Sequence, residues 1–381
     1  MNRRHFLQTA ATATGVSLLP AAWAQPAQSP YRKLLILIEL KGANDGLNTV
    51  VPFTNPRYAD LRPKLAIARD KLLQVSDREA LHPSLEPLMP LWQNKELAIV
   101  QGLGYPTPNL SHFRSIEIWE TASKSDEYLD SGWLARAFAA TPAPRDFAAD
   151  GVVVGSNEMG PLSGAGARVI ALANTEQFLR NAKLAQPNAD PRNAALKHLL
   201  SVEQEIIHAA AKLNTNFAFK TEFPKSAFGN QIRTAAQLAA NKAGVAAIRV
   251  TLGGFDTHAN QNDGASADNL GYHDYLLSTV SDAVVAFHSD VVAHGLGDKV
   301  VTVVFSEFGR RPEENADIGT DHGYGSCMFV VGEPVHGGVY GQYPSLDPEA
   351  LVLDGNLDVT VDYRSVYATV LARHVGADPA P

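Results

Sequence analysis

Acidic side chains, in two cases together with a histidine, occur in four short clusters of this 381-residue chain. The clusters are Asn44-Asp45-Gly46, Asp256-Thr257-His258, Ser306-Glu307 and Gly319-Thr320-Asp321-His322-Gly323. Carboxylate oxygens and neutral imidazole nitrogens bind hard or borderline divalent cations, and nearby glycines let the backbone approach closely. Such ions polarise an ester oxygen or lower the pKa of a bound water, so the predicted chemistry is hydrolysis.

The donor set predicts which ions the clusters would bind. Mixed oxygen and imidazole donors favour zinc or manganese, with calcium and magnesium as further candidates, and the number of carboxylates allows one or two ions. The predicted metal ligands are Asp45, Asp256, His258, Glu307, Asp321 and His322.

Each cluster also has a simpler interpretation. Asn44-Asp45-Gly46 has the composition of a tight turn, and Asp256-Thr257-His258 that of a loop hydrogen-bond motif. Glu307 could form a structural salt bridge with Arg310 or Arg311, and a dipeptide such as Asp321-His322 recurs by chance. The functional hypothesis therefore depends on the clusters lying together in the folded protein.

A candidate nucleophile precedes a segment with helical periodicity. Ser111 is followed by His112-Phe113-Arg114, and the helix predicted over 111–122 would place its hydroxyl at a positive helix end. A helix cap by Ser111 or Asn109 is the alternative interpretation. Arg114 and Arg310 are the residues predicted to bind the anionic group of an ester.

The predicted elements would bring these residues together. Short apolar runs indicate buried strands at 33–40, 97–101, 152–154, 246–252, 300–305 and 328–331, and helical patterns cover 111–122, 191–213, 230–243, 270–294 and 363–374. Alternating strands and helices predict an α/β sandwich with a mostly parallel sheet. Three of the clusters follow predicted strands, and the loops at the carboxyl ends of parallel strands converge, so we expect a shared site there.

The remainder of the chain predicts one large domain. Residues 25–381 would form a single α/β domain, with a helical insertion at about 174–243. The chain lacks a Gly-x-Ser-x-Gly elbow and a P-loop, which argues against a serine-hydrolase fold and a nucleoside-triphosphate site.

The first 24 residues are typical of an export signal. Arg3-Arg4 precedes an apolar stretch, and Ala22-Trp23-Ala24 has the small-x-small pattern of a cleavage site, so we expect the twin-arginine route and a periplasmic or secreted protein. The twin-arginine translocase would be a partner during export. The apolar run is shorter than the ~20 residues of a spanning helix, which argues against a retained anchor and predicts no stable membrane span.

Composition excludes some classes of partner. The formal net charge is −8, and the mature part lacks a Lys/Arg-rich run, so nucleic acid is not an expected partner. Cys327 is the only cysteine, which excludes an internal disulfide and favours a buried structural thiol.

Five motifs carry a resemblance to a bacterial family. They are ELKGANDGLNTVVP, SHFRSIEIWETA, GGFDTHANQ, FSEFGRRPEENADIGTDHG and VDYRSVYATVL, behind a twin-arginine signal. Together they resemble the family known as domain of unknown function 1501 over nearly the whole mature chain. That family is similar, distantly, to the alkaline phosphatase and sulfatase superfamily, which implies an alkaline-phosphatase-like α/β sandwich with divalent metals at the strand ends.

The resemblance implies roles for individual residues. Asp45 would correspond to the superfamily's first-strand aspartate, Asp256 and His258 to its central pair, and Ser111 to its nucleophile. Glu307 and Asp321-His322 would supply the later ligands. Phe308 stands where a ligand histidine is common, and the Cys-x-Pro-x-Arg and Ser-x-Pro-x-Arg signatures are absent, which argues against formylglycine chemistry.

We therefore expect a metal-dependent hydrolase of phosphate or sulfate esters, acting on a small-molecule or polysaccharide ester. The first alternative is a non-catalytic envelope or polysaccharide-binding protein on the same scaffold, because a fold does not determine a function. A phosphomutase-type transferase would use the same residues.

Overall fold

Strand β1 (Leu34–Lys41) lies in the middle of the main sheet. Its first seven residues are buried, as expected for a continuous apolar run that is covered on both faces. Leu35 and Leu37 pack into one core and Ile36 and Ile38 into the opposite one. This alternation is the two-residue period of an extended strand, and it shows that helices must cover both faces of the sheet.

The computed structural model describes residues 33–144, 147–173, 217–240, 244–262 and 271–380. The remaining described strands are β2 (Val50–Val51), β3 (Leu73–Gln74), β4 (Ala80–Leu81), β5 (Leu97–Gly104), β6 (Ala149–Val154), β7 (Val169–Leu172), β8 (Val245–Gly253), β9 (Val300–Phe305), β10 (Gly309–Glu314), β11 (Thr320–Gly323), β12 (Ser326–Val331), β13 (Gly338–Tyr340) and β14 (Val361–Asp362). The described α-helices are α1 (Gly46–Thr49), α2 (Pro56–Leu61), α3 (Met89–Gln93), α4 (His112–Thr121), α5 (Trp133–Ala140), α6 (Ala227–Ala239), α7 (Tyr272–Ala293) and α8 (Tyr363–Val370).

The main sheet is mostly parallel. Within the described residues it contains nine strands in the order β13-β5-β12-β9-β1-β8-β6-β7, with β14 also paired to β5. Strand β12 runs antiparallel to both of its neighbours, and the other pairings are parallel. The carboxyl ends of β1, β5, β8 and β9 therefore lie at one edge of the sheet.

Helices pack on both faces of this sheet. One core contains buried side chains of α6 and α7, such as Ile232 and Leu277, against Ile36 and Ile38. The opposite core contains side chains of α4, α5 and α8, including Trp119, which stacks on the Tyr363 ring at a centroid distance of 4.0 Å. The predicted α/β sandwich with a mostly parallel sheet is confirmed.

Two predicted regions fall largely outside the described residues. The export signal at 1–24 and the helix at 191–213 lie there, as do 174–216 and 241–243 of the predicted helical insertion. The rest of that insertion includes α6, which begins at a Ser226 cap whose hydroxyl accepts from Gly229 N at 2.9 Å. The strands predicted at 33–40, 97–101, 152–154, 246–252, 300–305 and 328–331 are all present.

Helix α7 is the longest described helix. Among the residues that the structure describes, it is the one helix whose length and composition would allow it to cross a membrane. Most of that stretch is buried inside the protein, where Leu276, Val280 and Phe287 belong to the core against the sheet. Its apolar composition is accounted for by this packing.

Candidate metal centre

Four donor atoms meet beyond the carboxyl ends of the strands. Asp256 Oδ1 lies 3.1 Å from His258 Nε2 and 3.2 Å from His322 Nε2. The same oxygen lies 3.4 Å from Nε2 of His112, and the Nε2 atoms of His258 and His322 are 2.9 Å apart. We refer to Asp256 Oδ1 and these three Nε2 atoms as the four-donor cluster.

The four residues come from three separate parts of the chain. Asp256 and His258 lie in the loop that follows β8, and His322 lies on β11. His112 is the first residue of α4, which follows β5. The parallel strands β5 and β8 end at the same edge of the sheet, so the fold brings these segments together as the convergence of strand ends predicts.

A buried carboxylate orients His112. Its Nδ1 lies 2.7 Å from Glu307 Oε1, and Glu307, which follows β9, is fully buried. The same oxygen accepts from Gly42 N at 2.8 Å, and the other carboxylate oxygen accepts from Ser306 Oγ at 3.0 Å. Because Glu307 accepts the Nδ1 proton, His112 keeps a lone pair on Nε2 and directs it into the cluster.

The other two imidazoles are held in the same way. His322 Nδ1 lies 2.9 Å from the carbonyl oxygen of Leu110, and His258 Nδ1 lies 3.2 Å from Asp321 Oδ1. In the tautomer that donates from Nδ1 to these acceptors, Nε2 carries the lone pair that a cation can bind. A ligating histidine in a metal site almost always has its second ring nitrogen engaged in this manner.

Several of the separations fit a shared cation. Donors that surround one tetrahedral zinc at ~2.0–2.1 Å lie roughly 3.3 Å from one another, which is close to the three distances from Asp256 Oδ1 and to the distance between His258 and His322. His112 Nε2 is buried, and within the described residues it has no hydrogen-bond partner. One donor atom from each of His112, Asp256 and His322 lies within 4.8 Å of the others. The described residues therefore contain a candidate His/Asp metal site.

Electrostatics keep Asp256 charged. Burial alone would raise its pKa, but Arg310, His322 and His112, which lie around its carboxylate, lower the pKa to about 2. Burial lowers the pKa of His322, which favours the neutral ring that can bind a metal. The hydrogen bond to Glu307 is the largest cause of the raised pKa of His112, so protons compete for this ring in the absence of a cation.

Phe308 packs against two imidazoles of the cluster. Its ring stacks on His112 at a centroid distance of 4.9 Å and packs on His322 at the same distance. The phenyl ring is buried and offers no donor atom. The ring therefore supports His112 and His322 by packing. It occupies the position at which the family resemblance implies a ligand histidine in related proteins.

Two predicted ligands lie behind the imidazoles. Glu307 and Asp321 bind the Nδ1 atoms of His112 and His258, respectively. Asp321 Oδ1 also accepts from Asn315 Nδ2 at 3.2 Å. Both carboxylates therefore contact imidazoles of the cluster instead of lying in it, and three of the six predicted ligands, Asp256, His258 and His322, belong to the cluster.

Asp45 lies in a buried ion pair. Its Oδ2 is 2.6 Å from Arg62 NH1 and accepts from Gln261 Nε2 at 2.7 Å, and both residues of the pair are fully buried. Its Oδ1 caps α1 by accepting from Leu47 N and Asn48 N. Both carboxylate oxygens are therefore occupied by protein donors, and the structure places the predicted ligand Asp45 outside the four-donor cluster.

The two predicted anion-binding arginines are also occupied. Arg114 donates to the carbonyl oxygens of Lys124, Ser125 and Glu127 and packs over the Tyr128 ring. The buried Arg310 donates to the carbonyl oxygens of Gly42, Ala43, Phe255 and Thr320, and to Asp256 Oδ1 at 2.7 Å. Arg114 thus holds the loop after α4 and also pairs with Glu117 at 3.0 Å, and Arg310 holds Asp256. Both guanidinium groups are buried among protein partners.

Ser111 lies beside the cluster in sequence and at the predicted helix start. It is the N-cap residue of α4, but its hydroxyl makes no capping hydrogen bond. Its backbone N instead donates to Asn109 Oδ1 at 2.9 Å. Ser111 is exposed, so its hydroxyl remains a candidate nucleophile. It directly precedes His112 of the cluster in the sequence.

His112 is the one residue of the four-donor cluster that is absent from the predicted ligands. In the sequence it lies between the candidate nucleophile Ser111 and a helical pattern, without an acidic neighbour. Its position as the first residue of a helix that follows a parallel strand was the available signal, since that is where ligands gather in such sheets.

Comparison with known proteins gives distant likenesses to solved structures. A protein of the alkaline phosphatase superfamily from Vibrio parahaemolyticus is 8% identical with a TM-score of 0.37, and the match covers 81% of this chain and 62% of that one. Alkaline phosphatase from the Antarctic bacterium TAB5 is 12% identical with a TM-score of 0.33, covering 81% and 94% of the two chains. The zinc complex of the C-terminal periplasmic domain of EcEptC from Escherichia coli is 12% identical with a TM-score of 0.33, covering 79% and 73%.

At TM-scores below 0.5 these likenesses do not assign a reaction to this chain. None of the curated proteins matches it. The family model described as "Protein of unknown function (DUF1501)" matches residues 32–380, which is nearly all of the described chain and includes every residue of the four-donor cluster. The chain therefore belongs to the DUF1501 family.

Proposed function

We propose that this chain is an exported, metal-dependent hydrolase of phosphate or sulfate esters that acts in the periplasm or outside the cell. The observation that carries the proposal is the four-donor cluster, in which three imidazoles hold Nδ1 on a protein acceptor and direct Nε2 at Asp256 Oδ1. A site of uncharged nitrogens around one carboxylate suits zinc or manganese better than calcium or magnesium, which prefer oxygen ligands.

A divalent cation bound there would polarise an ester oxygen or lower the pKa of a water. Asp256, His112, His258 and His322 would hold it, and Glu307 and Asp321 would keep two of the rings in the required tautomer. Arg310 would hold the Asp256 carboxylate in place through its contact at 2.7 Å.

Ser111 is the nucleophile in this proposal. Its exposed hydroxyl precedes His112 and, among the described residues, has no capping hydrogen bond, so it is free to attack or to position an ester. The amino end of the ten-residue helix α4 carries partial positive charge, which favours a bound anion at this point. This helix end takes the role that sequence analysis predicted for Arg114 and Arg310.

The choice of esters and of compartment rests on sequence. Phosphate and sulfate esters follow from the motifs that resemble the alkaline phosphatase and sulfatase superfamily, and export follows from Arg3-Arg4 and the apolar stretch behind it. A small-molecule or polysaccharide ester would be the substrate, and the twin-arginine translocase would be the partner during export.

Metal analysis and a substrate screen test the proposal together. Purified mature protein should contain a stoichiometric divalent ion after reconstitution with zinc or manganese, and the loaded protein should hydrolyse at least one of three probes: an aryl phosphate, a phosphodiester or an aryl sulfate. Ser111→Ala should abolish turnover and leave the metal content unchanged, whereas His322→Ala should lower both.

The outcomes separate the candidate functions. If the protein binds no divalent ion after reconstitution, the proposal of a metal-dependent hydrolase is refuted. Protein that binds the ion but turns over none of the probes, and that retains polysaccharide binding in Ser111→Ala, would support the non-catalytic envelope function instead.

A further inference from the structure

Gln261 is a buried residue of the GGFDTHANQ motif that the proposed mechanism leaves without a role. Its side chain is fully buried. Its Oε1 accepts from Thr257 Oγ1 at 2.9 Å and from Thr320 Oγ1 at 3.0 Å, and its Nε2 donates to Asp45 Oδ2 at 2.7 Å. One amide therefore joins its own segment to two others that are distant in sequence.

The two threonines belong to the segments that carry the metal ligands. Thr257 lies between Asp256 and His258, and Thr320 lies two residues before His322 on β11. Thr320 N donates to the carbonyl oxygen of Thr257 at 3.0 Å, so the backbones of the two segments are already paired. Gln261 adds a side-chain link across the same pair.

The third partner is anchored to the rest of the fold. Asp45 pairs with Arg62 at 2.6 Å, and Arg62 also donates to the carbonyl oxygens of Arg311 and Pro312 at 3.0 and 2.8 Å. Those carbonyls belong to β10, which pairs with β11. The Gln261 amide is thus fixed to the hairpin that carries His322.

The backbone of Gln261 is held as well. Its N–H donates to the carbonyl oxygen of Ile318 at 2.9 Å, and its own carbonyl accepts from His273 N at 3.0 Å. With both the backbone and the amide engaged, the side chain has one orientation in which every hydrogen bond forms. A neutral amide is suited to this position because it accepts from two hydroxyls and donates to a carboxylate at the same time.

We propose that Gln261 is a positioning residue that holds the Asp256-Thr257-His258 segment against β11 at the separation the metal requires. The inference rests on the proposed metal site and goes beyond it by assigning a role to a residue that touches no ligand atom. Partners of this kind typically change metal affinity or activity by 10–100-fold when they are removed.

Zinc titration of the purified mature protein tests the proposal. Gln261→Leu removes the amide but keeps a side chain of similar size, and we expect its zinc dissociation constant to rise about 10–100-fold with unchanged stoichiometry. Gln101→Leu is the matched control, because Gln101 is also buried and its Nε2 has no hydrogen-bond partner among the described residues. It should change the stability of the protein and leave the zinc dissociation constant within twofold.

A second pair of variants decides the matter if Gln261→Leu does not fold. Thr320→Val removes the hydroxyl that Gln261 accepts from, whereas Thr320→Ser keeps it. We expect weaker zinc binding in Thr320→Val and near-normal binding in Thr320→Ser, and equal affinities in the two would overturn the proposal.

The result also separates this inference from the proposed function. If Gln261→Leu binds zinc as tightly as wild type, the positioning role is refuted and the proposed metal site is unaffected. Wild-type protein that binds no divalent ion would refute both, because there would be no ligand set to position.

Discussion

The imidazole of His112 and the carboxylate of Glu307, which are 195 residues apart in the chain, meet at 2.7 Å between Nδ1 and Oε1. Burial alone would raise the pKa of Glu307, but hydrogen bonds led by the one from His112 lower it. The carboxylate is therefore ionised at neutral pH and keeps the Nδ1 proton on His112. This is the arrangement of a metal-binding histidine that a carboxylate orients from behind.

Replacing Glu307 with glutamine should weaken metal binding. The amide keeps the size of the side chain but loses the charge that holds the Nδ1 proton, so we expect the zinc dissociation constant to rise about 10–100-fold. Isothermal titration of the purified protein measures it. Glu313→Gln is the control, since Glu313 is an exposed residue of β10 and should bind zinc like wild type. Unchanged affinity in Glu307→Gln would show that the carboxylate does not orient a ligand.

Removing His112 should remove a ligand. In His112→Ala we expect a loss of stoichiometric metal after dialysis, which elemental analysis of the protein measures, because one of the four donor atoms is gone. His336→Ala provides a comparison, as His336 is exposed and its carbonyl oxygen rather than its ring makes the hydrogen bond to Tyr340. Full metal content in His112→Ala would exclude His112 from the site.

Metal affinity should fall as the pH is lowered. The pKa of His112 is raised, chiefly by its hydrogen bond to Glu307, so the ring of the metal-free protein stays protonated to a higher pH than an ordinary histidine. Only the neutral ring offers Nε2 to a cation, and zinc binding therefore releases protons. Titrations between about pH 8 and pH 6 should show a steadily rising zinc dissociation constant, and a pH-independent constant would contradict the assignment of histidine ligands.

Asp45→Asn should affect stability more than metal content. The substitution leaves the fully buried Arg62 without its charged partner, and breaking a buried pair in this way costs about 3–5 kcal/mol of the free energy of unfolding. Denaturant unfolding of the metal-free protein measures this loss, and metal stoichiometry should remain that of wild type. Asp60→Asn, which alters the exposed pair with Arg57 at 3.9 Å, should cost far less. If Asp45→Asn instead loses the metal ion and keeps its stability, Asp45 is a metal ligand.

The same ion pair should contribute to acid unfolding. Burial alone would raise the pKa of Asp45, but Arg62 lowers it to about 2 from the usual 3.8. A depressed pKa means that the stabilisation is present above 3.8 and is lost as the pH falls through 2. The Asp45→Asn protein should therefore show a shallower loss of stability over this acidic range than wild type does.

The layered architecture could be predicted from local pattern. Continuous apolar runs such as Leu34–Lys41 can be buried on both faces only in a sheet covered by helices, and the structure has that arrangement. The edge at which Asp256, His258 and His322 gather also followed from pattern, because parallel strands have their carboxyl ends on one side. The export signal lies outside the described residues and remains a prediction.

The role of each charged side chain could not be predicted in the same way. Asp45 and Asp256 look alike in sequence, since each follows a buried strand and a glycine, yet one is enclosed by Arg62 and Gln261 while the other is half-exposed and faces three imidazoles. Arg310 was equally ambiguous, because an arginine can bind a substrate anion or hold a backbone.

What the sequence determined by itself was the kind of layers this protein has and the edge at which its polar residues collect, since strand and helix periods are local properties of the chain. Only the tertiary structure decided that His112 joins the four-donor cluster, that Glu307 and Asp321 contact its imidazoles from behind, and that Asp45 forms a buried ion pair. The reason is physical: whether a side chain is a ligand, a support or half of an ion pair depends on which distant atoms lie within about 3 Å of it, and these contacts join residues up to 268 positions apart in the chain.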